Sequence, residues 1–230
     1  MKRLLLCEDE AVIREFIVIH LRRNGFDVLE AATAEQALEL YEEHKADIRL
    51  AVLDLMLPGM DGFELCRRLR EQDAAMGILM LTARSQEEEK IKALRLGADD
   101  YVTKPFSPSE LIARVEALER RVKATEDNGY RESLVSGEFT LNLLNRTLYR
   151  GNTLIELTQV EFQIMEYFLT HVGELLTRTD ILGRVWGADY YGEDKVVDVN
   201  IRRLRMKIEA DPSNPRHIIT VWGSGYRWET

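Results

Sequence analysis

The stretch Leu50–Asp54 (LAVLD) is a short apolar run that ends in an acid, and the turn residues Pro58-Gly59 and Asp61-Gly62 follow closely. An apolar run of this length between turn signals predicts a strand that is buried on both faces of a parallel sheet. In an open α/β sheet, ligands bind beyond the carboxyl ends of the strands. Asp54 is therefore expected at a ligand-binding edge.

Polar groups also follow other predicted strands at the point where the apolar run ends. They are Glu8-Asp9 after Lys2–Cys7, Thr82 after Ile78–Leu81, and Lys104-Pro105 after Asp99–Thr103. Because the carboxyl ends of parallel strands share one edge of a sheet, these groups are expected to meet Asp54 in one crevice. Any single acid could simply solvate the rim, but five groups in this spacing favour a site.

The first 121 residues alternate between strand and helix patterns, which predicts an α/β fold with a doubly wound, five-stranded parallel sheet. The strands are expected at residues 2–7, 27–30, 48–53, 78–82 and 99–103, and the helices include Ala11–Asn24, Ala34–His44, Gly62–Glu71 and Pro108–Arg121. Gly25 and Gly97 follow basic residues and are expected to end helices.

Residues 122–133 are polar and lack periodicity, so they are expected to form a linker to a second domain at residues 134–230. There we expect strands at 138–143, 147–150 and 152–157, helices at Thr158–His171, Arg178–Val185 and Asp194–Glu209, and a hairpin at Ile218–Trp228. Thr158 and Glu161 have the spacing of a capping box. Paired helices followed by a hairpin predict an α+β winged helix-turn-helix domain.

Charge and cysteine content exclude several classes of protein. The net charge of −9 argues against a chain that coats nucleic acid non-specifically. No apolar run approaches the length of a membrane span, and we expect a cytoplasmic protein. Cys7 and Cys66 lie in a predicted strand and helix, and buried thiols are a better interpretation than a redox pair. The chain has no cysteine and histidine cluster that would bind zinc.

The residue types in the predicted crevice suit phosphoryl transfer. Carboxylates without histidine or cysteine suit Mg²⁺, which prefers oxygen ligands. A carboxylate such as Asp54, between a divalent ion and an ammonium group, can accept a phosphoryl group. The metal and Lys104 would offset the charge on the transferred group, and Thr82 could donate to one of its oxygens.

The predicted helix at 194–209 has two contrasting faces. Val197, Ile201, Leu204 and Ile208 form one apolar stripe that is expected to be buried. The opposite face is expected to carry Lys195, Val199, Arg202 and Met206, flanked by Val196, Asn200, Arg203 and Lys207. Basic residues suit phosphates and guanine, asparagine suits adenine, and valine suits the thymine methyl group. Residues 195–207 hold five basic residues and one acid, so we expect this helix to read a DNA groove.

The first domain resembles the receiver domain of two-component response regulators, which has a flavodoxin-like fold. The matching segments are Glu8–Glu10, Leu53–Gly62, Leu81–Arg84 and Gly97–Phe106. The resemblance implies that a sensor histidine kinase phosphorylates Asp54 and that the bond between Lys104 and Pro105 is cis.

The same resemblance assigns roles to the other residues of the crevice. Mg²⁺ would be held by Asp9, Asp54 and the Met56 carbonyl, with Glu8 acting through water. Thr82 and Tyr101 match the family's switch pair, in which the hydroxyl moves toward the phosphoryl group and the aromatic ring turns inward.

Both domains resemble the OmpR/PhoB branch of this family. The second domain does so through Leu157–Phe162, Val185–Gly187, Val197–Arg205 and Gly225–Arg227. In the first domain, the resemblance implies a homodimer face, ringed by Lys90–Glu110 and Asp100–Arg114 ion pairs, that appears on phosphorylation. The residues of that face are Lys90, Ile91, Leu94, Asp100, Glu110, Ile112 and Arg114.

For the second domain, the resemblance implies binding to double-stranded DNA with tandem half-sites about one helical turn apart. The expected DNA contacts are Lys195, Val196, Val199, Asn200, Arg202, Arg203, Arg205, Lys207, Trp222, Tyr226 and Arg227. The loop Gly187–Gly192 would face RNA polymerase, although Tyr190 and Tyr191 could equally be packing residues. Trp186 is expected in the core.

One departure from the family pattern lies in the wing. The family usually has an arginine that enters the minor groove where this chain has Trp222. The indole could lie on the sugar-phosphate wall of the DNA or cover the base of the hairpin.

These features predict a phosphorylation-switched transcription regulator, which is not an enzyme except in its own phosphorylation and slow dephosphorylation. One alternative is a phosphatase with an aspartyl-phosphate intermediate, but such enzymes typically have a second acid where this chain has Met56. Another is a signalling adaptor that does not bind DNA, and the basic stripe at 195–207 argues against it.

Overall fold

The chain forms two compact units, Met1–Val122 and Lys123–Thr230. The computed structural model describes residues 2–83, 93, 94, 96–123, 133–187, 190 and 194–230. The division between the units falls one residue after the position that the sequence predicts for the end of the first domain.

The first unit is an α/β domain with a parallel sheet, as predicted. Its strands are β1 (Lys2–Cys7), β2 (Phe26–Ala31), β3 (Ile48–Asp54), β4 (Gly77–Ala83) and β5 (Asp100–Lys104). Its helices are α1 (Ala11–Arg23), α2 (Ala34–His44), α3 (Gly62–Gln72) and α4 (Pro108–Lys123). The strand order is β2-β1-β3-β4-β5, with parallel pairing throughout. Of the helix expected before Gly97, the structure describes Ala93, Leu94 and Leu96 as helical.

The core explains why the polar groups lie at one edge of this sheet. Leu4, Leu6, Leu50, Val52, Leu79, Leu81 and Val102 of the strands share one cluster with residues of α1 and α4. Because both faces of a parallel sheet are covered, its central strands are apolar until they emerge from the core. The first polar residue after each apolar run therefore lies at the carboxyl edge.

The turn after β3 returns the chain to that same edge. A Cβ atom at Gly62 would lie 2.0 Å from the carbonyl oxygen of Asp54, so only glycine allows this close approach. Asp61 caps α3 by accepting a hydrogen bond from the Glu64 amide. The start of α3 is thus fixed beside Asp54.

Among its described residues, the second unit forms two antiparallel sheets and three helices. One sheet consists of β6 (Ser133–Ser136), β7 (Phe139–Asn142), β8 (Thr147–Arg150) and β9 (Thr153–Ile155). The helices are α5 (Gln159–Thr170), α6 (Arg178–Trp186) and α7 (Lys195–Ile208). The other sheet consists of β10 (Leu175–Thr177), β11 (Ile218–Val221) and β12 (Gly225–Trp228), with β12 in the centre.

Two features of the second unit differ from the sequence prediction. Ser133 begins β6 and α4 continues to Lys123, so both ends of the predicted linker are ordered elements, while residues 124–132 lie outside the described residues. Strand β10 was also not predicted. Both missed strands are short, and they form by pairing with β7 and β12 rather than through a pattern of their own.

Capping and core residues of the second unit agree with the sequence. Thr158 and Glu161 form the predicted capping box at the start of α5, and Thr177 with Asp180 forms another at α6. The apolar stripe of α7 is buried at all four positions, and Trp186 is buried as predicted.

Candidate functional site

An acidic pocket lies at the carboxyl edge of the parallel sheet. Glu8 and Asp9 follow β1, and Asp54 ends β3. One carboxylate oxygen from each of these acids lies within 4.8 Å of the other two. Glu8 and Asp54 are buried, while Asp9 is exposed. The three acids that the sequence predicts at this edge are therefore together.

Lys104, at the end of β5, lies between two of these acids. Its Nζ atom is 3.0 Å from Oδ2 of Asp54 and 2.8 Å from Oε2 of Glu8. The bond between Lys104 and Pro105 is cis, as the resemblance implies. The contact with Glu8 was not predicted, and it gives the lysine two anionic partners in the structure.

Burial and mutual repulsion make this pocket electrostatically unusual. Burial raises the pKa of Glu8, and the charges of Asp54 and Asp9 raise it further, against the opposing effect of Lys104. Burial alone would lower the pKa of Lys104, but its bond to Glu8 and the charge of Asp54 raise it above the ordinary value. Burial and the same acids raise the pKa of Cys7 to about 12, so this thiol stays protonated. The pocket thus concentrates negative charge and favours cations.

The predicted switch residues lie on the strands next to the pocket. Thr82 is buried on β4, one position beyond Leu81, which pairs with Asp54. Tyr101 on β5 is buried as well. The Met56 side chain is 69% exposed, so it does not fill the pocket, and the metal contact implied for its carbonyl stays a prediction.

The residues of the predicted dimer face are only partly described. Lys90 and Ile91 lie outside the described residues, Leu94 is buried, and Ile112 packs against the core. The predicted Asp100–Arg114 ion pair is present within the chain at 3.1 Å, and Glu110 lies 3.1 Å from the same guanidinium. Whether these residues also face a second copy stays a prediction.

The centre of the outer face of α7 agrees with the sequence. Lys195, Arg202 and Met206 are exposed, and Val199 is partly exposed. These four residues follow the i, i+4, i+7, i+11 spacing that places side chains along one side of a helix.

Beside that face, the predicted exposure of Val196 and Asn200 is wrong. Both residues are 0% exposed. The Asn200 side-chain amide donates to the Val196 carbonyl at 2.9 Å and its oxygen accepts from Arg203, so its polar groups are satisfied internally. The buried surface of α7 therefore extends beyond the apolar stripe on the side of Val196 and Asn200.

Three basic residues of α7 that were predicted to contact DNA have partners within the domain. Arg203 is 8% exposed, and its Nε lies 3.1 Å from Oε1 of Glu161. Lys207 places its Nζ 2.6 Å from Oε2 of the same acid. Arg205 donates to the Ile218 carbonyl at 2.6 Å and to the Thr220 hydroxyl at 2.7 Å on β11. Each of these side chains thus has a partner within the domain, and its contact with DNA stays a prediction.

Glu161 is the functional candidate that the sequence did not indicate. Burial would raise its pKa, but the charges of Arg203 and Lys207 hold it below the ordinary value. The capping-box pattern marked this acid only as a cap for α5. Its pairing with residues more than 40 positions away has no local signal in the sequence.

The wing has two buried aromatic residues, Tyr226 and Trp228, and one exposed aromatic residue, Trp222. Tyr226 is buried, and its hydroxyl donates to Asp198 of α7 at 2.7 Å, while its predicted contact with DNA stays a prediction. Burial and that bond raise the pKa of Tyr226 to about 12. Trp222 is 91% exposed and therefore does not cover the base of the hairpin. Arg227 pairs with Glu229.

The loop between α6 and α7 is described only in part. Residues 188, 189 and 191–193 lie outside the described residues. The Tyr190 ring lies 6.2 Å from the buried Trp186 ring, which supports the packing interpretation of Tyr190.

Comparison with known proteins covers both units. The family described as "Response regulator receiver domain" matches residues 4–116, and the one described as "Transcriptional regulatory protein, C terminal" matches residues 151–228. The sensory transduction protein RegX3 of Mycolicibacterium smegmatis is 41% identical over 230 residues, which is 100% of both chains. The chain belongs to the response-regulator family.

Other comparisons of this response regulator agree with that assignment. RegX3 of Mycobacterium tuberculosis is 42% identical over 229 residues, again 100% of both chains. Among solved structures, a RitR mutant with 25% identity has a TM-score of 0.80 and covers 100% of this chain and 99% of its own. The regulator DrrB of Thermotoga maritima, an OmpR/PhoB homologue, is 30% identical over 100% of both chains with a TM-score of 0.51.

The protein is thus a response regulator of a two-component system with a receiver domain and an OmpR/PhoB-type DNA-binding domain. The sequence prediction of fold and function is confirmed at this level, and neither the phosphatase nor the adaptor alternative fits the family. In the part of the chain that the structure describes, no helix is both long and apolar enough to cross a membrane.

Proposed function

We propose that Asp54 accepts a phosphoryl group from a sensor histidine kinase, and that phosphorylation controls DNA binding by α7. The observation that carries this proposal is the position of Asp54, beside two other acids and 3.0 Å from the ammonium group of Lys104. In the transfer, the P–N bond of a phosphohistidine breaks and an O–P bond to Asp54 forms. Lys104 is placed to offset the negative charge of the transferred group.

The donor set of the pocket fits Mg²⁺. Three carboxylates with no cysteine or histidine among them suit a hard cation that keeps several waters. We assign the metal to Asp9, Asp54 and the Met56 carbonyl, with Glu8 acting through water. When bound, the ion would neutralise charge on the phosphoryl oxygens. Glu8, which already holds Lys104, would keep that ammonium group at the site.

Thr82 and Tyr101 are our candidates for the switch. Thr82 lies one residue before the end of β4 and one position beyond Leu81, which pairs with Asp54, so its hydroxyl can move toward a phosphoryl oxygen. Tyr101 precedes Lys104 by three residues on β5 and follows Asp100, whose carboxylate holds Arg114 of α4. A shift at Asp54 could therefore reach the Asp100, Glu110 and Arg114 cluster, where we place the homodimer face.

For DNA, we retain residues of the outer face of α7 and set aside those that are buried or have partners within the domain. Lys195, Val199 and Arg202 are proposed to enter the major groove, with Trp222 of the wing beside the DNA backbone. Two copies would then bind tandem half-sites of double-stranded DNA. We keep RNA polymerase as a partner of the loop after α6, and we place the protein in the cytoplasm because its DNA target lies there.

The test is intact mass after incubation with a small phosphodonor, with and without Mg²⁺. Wild type should gain one phosphoryl group only with the metal, and Asp54→Asn should gain none. Asp47→Asn removes an acid that pairs with Arg3 away from the pocket, and should behave as wild type. Uptake by the Asp54→Asn protein would overturn the assignment.

A further inference from the structure

Glu161 is a buried carboxylate that contacts two cations of α7. It is 0% exposed and lies in the first turn of α5. Its Oε1 is 3.1 Å from Nε of Arg203, and its Oε2 is 2.6 Å from Nζ of Lys207. Arg203 and Lys207 are four residues apart, so they lie on the same side of α7.

The helix cap does not require the negative charge of Glu161. Its Oε2 accepts a hydrogen bond from the Thr158 amide, and its own amide donates to the Thr158 hydroxyl. Glutamine serves equally well at this position of a capping box. The charge is therefore needed for the two cations rather than for the start of α5.

Arg203 and Lys207 are held by further contacts around the same acid. Arg203 donates to the Asn200 side-chain oxygen at 3.2 Å, and Lys207 donates to the Glu156 carbonyl at 2.8 Å. On the other side of α7, Asp198 accepts from Tyr226 and pairs with Arg178 at 2.7 Å. The helix is thus fixed on two sides, which leaves Lys195, Val199, Arg202 and Met206 outward.

A basic side chain that contacts DNA phosphates changes the affinity for DNA in a predictable way. Each phosphate contact adds affinity for every sequence and steepens the salt dependence by about 0.9 in log K per log salt. Specific recognition depends instead on the register and orientation of the helix in the groove. A cation that is withheld from DNA lowers non-specific binding without changing the base contacts.

We propose that Glu161 is a positioning residue for DNA recognition, which fixes the rotation of α7 and withholds Arg203 and Lys207 from the phosphate backbone. This inference rests on the proposed function of α7 as the DNA reader. Glu161 then raises the ratio of specific to non-specific affinity for DNA, in addition to stabilising the fold.

The test compares Glu161→Gln with wild type as full-length, phosphorylated proteins on two probes. One probe is a randomised duplex pool, and the other is a duplex selected from that pool with the wild-type protein. We expect Glu161→Gln to bind the unselected pool more tightly, with a salt slope steeper by about one to two units. The ratio of selected to unselected affinity should fall by about tenfold or more.

Two further variants separate this role from a structural one. Glu156→Gln removes an exposed neighbouring carboxylate with the same change in charge and should leave both probes unaffected. Lys207→Gln should leave the wild-type salt slope unchanged, because Lys207 is occupied by Glu161. In the Glu161→Gln protein, the same change should remove about one unit of the added slope.

Each contrary outcome has a distinct meaning. If Glu161→Gln weakens both probes equally with an unchanged slope, its role is structural and the inference is overturned. If Glu161→Gln fails to fold, the salt slope of Lys207→Gln tests the inference instead. A slope shallower than that of wild type would show that Lys207 already contacts phosphate, and the inference would be overturned. If the wild-type protein enriches no sequence from the pool, the proposed function itself is overturned, and this inference with it.

Discussion

The acidic pocket and the outer face of α7 were predicted from the same sequence with different success. In the pocket, Glu8, Asp54, Thr82 and Lys104 all lie at the edge of the sheet where the pattern places them. On α7, the sequence predicted a broad exposed face, and the structure leaves Lys195, Arg202, Met206 and Lys207 exposed but buries Val196, Asn200 and Arg203.

The two regions differ in what determines where their side chains lie. A parallel sheet brings the ends of its strands to one edge, so the end of each apolar run is enough to locate a polar group. The exposure of a helix position depends on which neighbours cover the helix. For α7 these are Glu161 of α5, Arg178 of α6 and Tyr226 of the wing, all distant in sequence.

The largest effect is expected in the pocket, from the loss of Lys104. Lys104→Gln removes the cation next to Asp54, and the initial rate of phosphate uptake from a small phosphodonor should fall by about 10²–10³-fold. Intact mass over time measures this rate. Lys45→Gln, which alters an exposed pair with Glu42, should leave the rate unchanged. A loss of less than about tenfold for Lys104→Gln would mean that proximity to Asp54 does not imply a role in transfer.

The fold shows the same distinction between local and distant determinants. The five parallel strands were predictable because each is a short segment with apolar residues that lies between turn or helix signals. Strand β10 was not, because Leu175–Thr177 is a strand only through pairing with Gly225–Arg227, about 50 residues away. Strand β6 lies next to a polar segment and forms by pairing with β7.

Glu161 shows why part of the functional site could not be read from the sequence. Its spacing from Thr158 predicted the cap correctly, since that interaction is local. Its ion pairs with α7 depend on how two helices pack. A single residue thus has one role that the sequence indicates and another that only tertiary structure can assign.

A matched pair of valines tests the difference between the buried and exposed sides of α7. Val196→Ala removes buried methyl groups and should lower the free energy of unfolding of the second unit by about 2 kcal/mol. Val199→Ala should lower it by less than about 0.5 kcal/mol. Tryptophan fluorescence in a urea titration measures this unit selectively, because all three tryptophans of the chain lie in it.

The same two valines should have the opposite order of importance for base contacts. Val199→Ala should weaken binding to a selected duplex, and the loss should disappear when uracil replaces thymine, because uracil lacks the methyl group. Val196→Ala should show no such dependence on the methyl group. If Val199→Ala destabilised the unit more than Val196→Ala, the assignment of the two sides would be reversed.

The smallest effect is expected at the wing tip. The exposure of Trp222 there depends neither on the end of a parallel strand nor on helix packing. Trp222 begins the three-residue turn between Val221 and Gly225, and Gly223 at φ +74° supplies the positive φ that the turn requires. The indole is 91% exposed and carries no charge, so it cannot follow the negative potential of a narrow minor groove.

Trp222→Arg should steepen the salt dependence of binding by about one unit of log K per log salt and favour A·T-rich flanks. Trp222→Gln, a neutral control, should leave the slope as in wild type. Titrations of the three proteins on one selected duplex with A·T-rich or G·C-rich flanks measure both effects, and identical slopes and flank preferences for Trp222→Arg and wild type would show that the wing tip does not reach the DNA.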